Sequence, residues 1–155
     1  MGKYIFDNTL VGKHSAFNQE LFNKYDIPAR DKIKSVLADF VKDNPDIYQQ
    51  DLVITDETYK YKYIELQVCV SWIGENFPYD NPYVYERKGR YDEDTLFITL
   101  NKSLTRGLIF DAKSFKNIKP KRLKKYSREF IYIIPWCQVM PIIIDTLTPD
   151  TIKLY

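Results

Sequence analysis

The chain has 155 residues, 45% of them hydrophobic, and a formal net charge of +2. This composition is sufficient for one hydrophobic core, and we treat residues 1–155 as a single domain because no linker, repeat or low-complexity tract divides them. A single histidine and two distant cysteines exclude the common zinc spacings. The longest apolar run, 130–144, is broken by prolines and is too short for a membrane span. Without a secretory signal, free cysteines favour an intracellular compartment such as the cytoplasm, the nucleus or a virus factory.

The first predicted element is an amphipathic helix. The apolar residues that recur at the helical spacing i, i+3, i+4, i+7 and i+8 are Ile33, Val36, Leu37, Phe40 and Val41. The helix is expected to begin near 26–28 and to end before Asn44, and a shorter stripe at the same spacing precedes it over 17–25. Arg30 falls at the edge of the apolar face, where it could pair with a carboxylate of the sheet.

A hairpin of two strands should follow the helix. We expect the first strand at Asp51–Thr55 and the second from about Lys60 to Trp72. Within the second strand, Glu65 and Gln67 share one face and the apolar residues between them take the other. Asp51 opens the first strand, so its carboxylate is expected beside Glu65. Two carboxylates at one place on a sheet provide oxygen ligands suited to Mg²⁺.

Residues 73–94 are rich in proline, glycine and tyrosine, which predicts a long loop. Long loops on compact domains often carry function. We therefore expect Arg87, Lys88 and Arg90, with the tyrosines around them, to contact the backbone of a substrate. The alternative is an ordered loop that packs its tyrosines on the sheet.

The last third of the chain predicts a strand at Thr95–Leu100, a hairpin partner at Leu108–Phe110 and a buried strand at Phe130–Trp136. Between them, residues 112–128 hold eight Lys or Arg side chains and no acid. We expect a short helix there with Pro120 in its first turn. Such a charge is typical of a phosphate-backbone contact, and a solvated helix face is the alternative. The candidate nucleic-acid contacts are Lys121, Arg122, Lys124 and Lys125.

Asp51 followed by Glu65-Leu66-Gln67 resembles the motif of the PD-(D/E)XK nuclease superfamily, in which Asp and then Glu-x-Lys surround a metal ion. Most members carry Lys at the third position, although some restriction endonucleases use Gln. Gln67 can orient a water molecule but brings no positive charge. The resemblance implies a single α/β domain with the αβββαβ core of the restriction endonucleases, a mixed central sheet flanked by helices. The predicted order of helix, three or four strands, helix and strand agrees with that core.

The resemblance implies an endonuclease or other DNA-processing phosphodiesterase that depends on Mg²⁺ or Mn²⁺. Asp51, Glu65 and the carbonyl of Leu66 would bind the metal, and Gln67 would orient the water. Many members add an acidic ligand from the first helix, for which Glu20 is the candidate. The expected partner is nucleic acid, most simply DNA, and a homodimer is one conceivable assembly. The alternative is a non-catalytic protein of the same fold with a structural or regulatory role, for example in a virus.

Overall fold

The computed structural model describes residues 19–122 and 130–155. Its N-terminal helical segments are α1 at Gln19–Leu21, a π-helical turn at Phe22–Asp26 and α2 at Ile27–Leu37. The three segments follow one another without a break, so Asp26 lies inside the helix and does not begin it. The helix ends because Ala38 adopts a left-handed φ of 47°. The expected helical extension to Asn44 is therefore wrong.

Apolar residues beyond the helix are buried without being helical. Phe40 closes a 3-10 turn, Ala38–Phe40, and Val41 begins the first strand. Both residues lie in the main core. Their spacing matches a helix because they face the same core as α2, and periodicity reports burial and not the backbone conformation that achieves it.

Nine strands occur in the described part of the chain. They are β1 Val41–Asp43, β2 Leu52–Ile54, β3 Tyr63–Cys69, β4 Tyr83–Tyr85, β5 Thr95–Asn101, β6 Arg106–Asp111, β7 Lys121–Arg122, β8 Phe130–Ile133 and β9 Met140–Ile143. The remaining elements are a C-terminal helix, α3, at Pro149–Ile152 and 3-10 turns at Glu86–Arg90, Ala112–Ser114, Trp136–Gln138 and Ile144–Thr146. Both predicted hairpins are thus present: β2 and β3 are shorter than predicted, and β5 and β6 are longer.

The strands form two sheets. A six-stranded sheet has the order β1-β2-β3-β5-β6-β9, and a three-stranded sheet has the order β4-β8-β7. In the larger sheet only β3 and β5 run parallel, and the other neighbours are antiparallel. A parallel pair requires a crossover connection. That crossover, residues 70–94, contains β4 and the 3-10 turn Glu86–Arg90, so the long loop predicted at 73–94 includes short regular elements.

Both faces of the large sheet are covered. On one face α2 buries Ala29, Ile33 and Leu37 against strand residues that include Ile64 and Leu66. On the other face Phe97 and Phe110 pack against Val84 and Ile134 from the side of the small sheet. Because Glu65 pairs with Phe97 and Gln67 pairs with Thr99, the two polar residues lie on the face toward the small sheet. The predicted separation of polar and apolar faces along β3 is confirmed.

Two predictions for the C-terminal third need correction. The basic segment does not form the expected helix over its described part, since 112–114 is a single 3-10 turn and Lys121–Arg122 pairs with β8 as a strand. The rest of that helix prediction, 123–128, falls outside the described residues. Phe130–Ile133 is a strand as predicted, but it belongs to the small sheet, and Trp136 lies in an exposed turn. The strand that completes the large sheet is β9, whose Pro141 is tolerated because β9 is an edge strand.

The chain is therefore a mixed α/β domain with one main helix, as its sequence predicts in outline. Among the described residues, none of the helices has the length and the apolar character that crossing a membrane requires.

Candidate functional site

Asp51 and Glu65 lie side by side at the N-terminal end of β2. Asp51 immediately precedes β2, and the register that pairs Leu52 with Ile64 brings Asp51 opposite Glu65. The Asp51 backbone N–H donates a hydrogen bond to Glu65 Oε1 at 3.2 Å, and the Leu66 N–H donates one to Asp51 Oδ2 at 2.9 Å. The hairpin thus brings the two carboxylates together, as the strand pattern predicts.

Arg30 connects the helix to this pair. Its Nη2 donates to Asp51 Oδ1 at 3.0 Å, with both side chains about a quarter exposed. The Arg30 Nε is buried and has no hydrogen-bond partner among the described residues. The expected pairing of Arg30 with a carboxylate of the sheet is confirmed. The positive charge of Arg30 balances the negative charge of Asp51.

Lys88 enters the site from the crossover. Its Nζ lies 3.0 Å from Glu65 Oε2 and donates a hydrogen bond to the Leu66 carbonyl oxygen at 3.1 Å. The side chains are 15% exposed for Lys88 and 9% exposed for Glu65, so this ion pair is largely removed from water. Lys88 therefore faces the carboxylates, and not the open surface on which a substrate backbone was expected to meet it.

The turn that carries Lys88 packs against the aromatic ring of Tyr132. A Cβ atom on Gly89 would lie 3.0 Å from Cε2 of Tyr132, closer than most packed atoms approach. Tyr132 in turn stacks on Phe115, with ring centroids 5.0 Å apart. The absence of a side chain at Gly89 therefore lets the turn pack closely on the small sheet and hold Lys88 in place.

Burial dominates the electrostatics of Glu65. Desolvation raises the pKa of Glu65 to about 7, although the positive charge of Lys88 lowers it and the negative charge of Asp51 raises it further. A carboxyl group with a pKa near neutrality is common at functional sites, and structural ion pairs produce the same effect. The shift marks Glu65 as a group whose charge depends on its partners.

Gln67 is held by two hydrogen bonds on the same face. Its Nε2 donates to the Tyr83 carbonyl oxygen at 2.9 Å and to Thr99 Oγ1 at 2.7 Å. Its Oε1 is buried and has no partner among the described residues. An amide that is fixed through its nitrogen in this way can accept a hydrogen bond from a water molecule through its oxygen.

A second helical carboxylate, that of Asp26, lies near enough to the site to interact with Lys88 and Asp51. Asp26 is exposed in the π-helical turn, yet desolvation by the surrounding protein raises its pKa, Lys88 lowers it and Asp51 raises it. Glu20 is exposed on α1, less than two helical turns earlier, and its role as a ligand stays a prediction. Asp26 lies two residues before Pro28, a pattern typical of a helix start. The sequence therefore indicated a capping role for Asp26 and not a position near the site.

The remaining basic candidates surround the site at greater distance. Arg87 stacks on the Tyr85 ring at 4.3 Å, and Arg90 donates to the Tyr48 carbonyl oxygen and to the Tyr91 hydroxyl, both at 2.8 Å. Lys121 and Arg122 are exposed on β7, two strands from β4 and so roughly 10 Å across the small sheet. Lys124 and Lys125 lie outside the described residues.

An open cavity of about 260 Å³ lies beside the turn that carries Lys88. Its lining includes Arg90, Tyr91, Lys116 and Tyr132. Desolvation first, and then the negative charge of Glu65, raises the pKa of the Tyr91 phenol.

The donors in the site suit a hard divalent cation, but a cation of the protein already contacts them. Asp51, Glu65 and the Leu66 carbonyl present oxygen atoms, the ligands that Mg²⁺ and Mn²⁺ prefer. In the described part of the chain, no three His, Cys, Asp or Glu side chains group closely enough to hold a metal ion. The oxygens of Glu65 and Leu66 instead contact Lys88. The cation that contacts this donor set in the structure is therefore the Lys88 ammonium.

No protein-family model matches this chain, and neither a curated protein nor a solved structure matches it.

Proposed function

We propose that this chain is a metal-dependent phosphodiesterase that acts on nucleic acid, most simply an endonuclease of DNA, at the site formed by Asp51 and Glu65. The observation that supports this function is the meeting of the two carboxylates, the Leu66 carbonyl and Lys88 at one end of the β2–β3 hairpin. Carboxylates that gather at a sheet next to a buried ammonium group provide both the ligands and the charge that phosphodiester cleavage needs.

The order of elements also supports the proposed PD-(D/E)XK relationship. A helix is followed by the antiparallel strands β1, β2 and β3 and then, after a crossover, by the parallel strand β5. This order agrees with the first part of an αβββαβ core. The crossover differs, since it holds β4 and a 3-10 turn where the core has a helix.

The proposed metal ligands are Asp51, Glu65 and the Leu66 carbonyl, and a bound Mg²⁺ or Mn²⁺ would supply positive charge to the scissile phosphate and lower the pKa of the attacking water. Gln67 would orient that water through its Oε1, which accepts no hydrogen bond from the described residues. The proposed role of Gln67 is only positional, because an amide carries no charge to stabilise a phosphate.

Lys88 supplies the positive charge that position 67 lacks. Its ammonium reaches Glu65 from the crossover, whereas a lysine at position 67 would reach the same carboxylate along its own strand. Once it is released from Glu65, Lys88 would lie beside the reacting phosphate and stabilise the negative charge that develops there. We therefore assign to Lys88 the role that the third motif residue has in the family.

The basic groups around the site would bind the phosphate backbone on either side of the cleaved bond. Arg87 and Arg90 belong to the turn that carries Lys88, and Lys121 and Arg122 lie on the exposed edge strand of the small sheet. The proposed contacts from Lys124 and Lys125 extend the same basic segment. Such contacts would position nucleic acid without reading its sequence.

A non-catalytic role is the second candidate, and one observation favours it. Arg30 and Lys88 neutralise both carboxylates within the protein, so the site is electrostatically complete without a metal ion. A protein that had lost catalysis would retain such ion pairs to keep its buried carboxylates compensated. In that case the domain would serve as a structural or regulatory unit.

Cleavage of DNA tests the proposal directly. Purified protein is incubated with labelled duplex, branched and single-stranded DNA in the presence of Mg²⁺ or Mn²⁺. The variants Asp51→Asn and Glu65→Gln keep the shape of the side chains and remove the charges, so each should abolish cleavage. Glu75→Gln is the control, because Glu75 is exposed and pairs with Arg106 of β6, two strands from β3. Absence of cleavage by folded wild-type protein on all three substrates would favour the non-catalytic role.

A further inference from the structure

The ammonium group of Lys88 lies where a metal ion would be bound. It contacts Glu65 Oε2 at 3.0 Å and the Leu66 carbonyl oxygen at 3.1 Å. These are two of the three oxygen donors assigned above to the metal. A divalent ion on the same oxygens would sit roughly 2.1 Å from each, within the space that the Lys88 ammonium and its hydrogens fill.

We propose that Lys88 is a displaceable internal cation, which holds the metal position between Glu65 and the Leu66 carbonyl and leaves it when a divalent ion binds. The proposal rests on the proposed function for the identity of the competing ion. Its test measures metal binding and the accessibility of Lys88 to a reagent, and it does not require cleavage of DNA.

The balance of charges favours this exchange. Asp51 and Glu65 are each matched by one cationic side chain, Arg30 and Lys88. A divalent ion added to these four groups would leave an excess of two positive charges, of which the nearby Asp26 carboxylate offsets one, in a region where Glu65 is only 9% exposed. Uncompensated charge is costly at that depth, and two cations roughly 3 Å apart repel each other strongly. Metal entry and release of Lys88 are therefore coupled.

The surroundings of Lys88 allow it to leave. It belongs to the short 3-10 turn Glu86–Arg90, and its side chain is a flexible, unbranched stem of four methylene groups. Asp26 is an exposed carboxylate nearby, and among the charged groups that act on it Lys88 has the largest effect. In the absence of substrate, a released Lys88 would find a second anionic partner in Asp26. Glu65 and Leu66, by contrast, are fixed in the centre of the sheet.

Calorimetric titration with Mn²⁺ tests the competition. Lys88→Met keeps most of the side-chain volume and removes the ammonium, so the variant should bind Mn²⁺ about tenfold or more tightly than wild type. The same variant should melt below wild type without metal, because Glu65 loses its buried partner, and Mn²⁺ should restore most of the difference. Lys116→Met is the matched control, since it removes an exposed lysine that pairs with Glu93, and it should leave the affinity unchanged.

Chemical labelling of wild-type protein provides a measurement that does not depend on the variant folding. An amine-reactive reagent should modify Lys88 slowly without metal and at least several times faster when Mn²⁺ saturates the site. Peptide mass spectrometry resolves Lys88 from Lys116, whose rate should not change. These two results support the exchange whether or not the protein cleaves DNA.

Three results would overturn the proposal. They are an equal or weaker affinity of folded Lys88→Met for Mn²⁺, an unchanged labelling rate of Lys88 under saturating Mn²⁺, and no Mn²⁺ binding by either protein at millimolar concentration. Failure of the phosphodiesterase activity alone would leave Lys88 as the internal cation of a metal site in a protein with another role.

Discussion

Arg30 on α2 and Asp51 at the entrance of β2 form an ion pair 3.0 Å long that joins the helix to the hairpin. Arg30 Nη2 is the donor, and Asp51 also accepts the Leu66 N–H through its other oxygen. Asp51 thus fixes the relative position of three elements, α2, β2 and β3. The ion pair has a structural role in addition to any role in binding a metal.

Removing one partner of this pair should destabilise the fold. Arg30→Met leaves the Asp51 carboxylate partly buried without its counter-charge, at an expected cost of about 1–3 kcal/mol in the free energy of unfolding. Lys32→Met is the control, since its pair with Asp145 is more exposed, and it should cost less than about 1 kcal/mol. Urea denaturation of both variants measures the difference. Equal losses would show that the Arg30 pair has no special structural role.

The close contact of Gly89 with Tyr132 yields a second prediction. Gly89→Ala should push the ring or the turn apart and destabilise the protein by about 1–3 kcal/mol, because the added Cβ would lie 3.0 Å from the ring. Gly74→Ala is the control, since its Cβ would have no neighbour within 4 Å, and its effect should be near zero.

A compensating substitution tests whether the Tyr132 ring causes the loss of stability in Gly89→Ala. Tyr132→Leu should remove most of the additional cost of Gly89→Ala when the two changes are combined, as measured by a double-mutant cycle. Additive effects of the two substitutions would show that the strain of Gly89→Ala arises elsewhere.

Glu65 should make stability fall as the pH rises from about 4.5 to 7. Its pKa is raised to about 7 in the folded protein from the ordinary value of 4.5, mainly by burial. Between these values the folded state binds more protons than the unfolded state, so the free energy of unfolding decreases with increasing pH. The variant Glu65→Gln should lack this contribution, and the difference between wild type and variant should change across that window.

Glu93 is the control for this pH dependence. The Lys116 partner lowers the pKa of Glu93, so its contribution is present above about pH 4.5 and is lost only at lower pH. The difference in melting temperature between wild type and Glu93→Gln should therefore be the same at pH 5, 6 and 7. A wild-type minus Glu65→Gln difference that stays constant over the same range would contradict the raised pKa.

If the protein binds DNA, the basic strand should contribute through its charges on the phosphate backbone. Lys121→Gln together with Arg122→Gln should weaken binding equally for all sequences and reduce the slope of log K against log salt by about 0.9 for each phosphate that is no longer neutralised. Lys42→Gln with Lys60→Gln is a charge-matched control on exposed positions of the large-sheet side. An unchanged slope in the first pair, measured by fluorescence anisotropy, would place the phosphate-binding groups on other residues, with Arg87 and Arg90 next.

Moving the ammonium group between the crossover and the strand tests the proposed role of Lys88. Lys88→Met alone should reduce metal-dependent cleavage strongly, whereas Gln67→Lys combined with Lys88→Met should recover much of it by supplying the charge from β3. Gln67→Lys alone should keep or raise cleavage. Each variant must first show a wild-type circular dichroism spectrum, because Gln67 donates two hydrogen bonds inside the fold. No recovery in the combined variant would argue against a shared role for the two positions.

The hairpin and its carboxylates follow from the amino-acid sequence. The alternation along β3 separates Glu65 and Gln67 from Ile64 and Leu66, and the pairing of β2 with β3 places Asp51 opposite Glu65. These relationships are local, since a few residues of strand and turn fix them. The place of Arg30 could also be anticipated, because helical periodicity shows which side of α2 faces the sheet.

The place of Lys88, by contrast, depends on the packing of distant segments. Its position relative to Glu65 requires a crossover of some two dozen residues, the pairing of β4 with β8, and the contact of Gly89 with Tyr132, which lies more than forty residues later. No periodicity carries such information, because the pairing of distant segments is selected by the packing of the whole core. For the same reason the apolar residues Phe40 and Val41 gave a helical pattern, although the chain buries them in a turn and a strand.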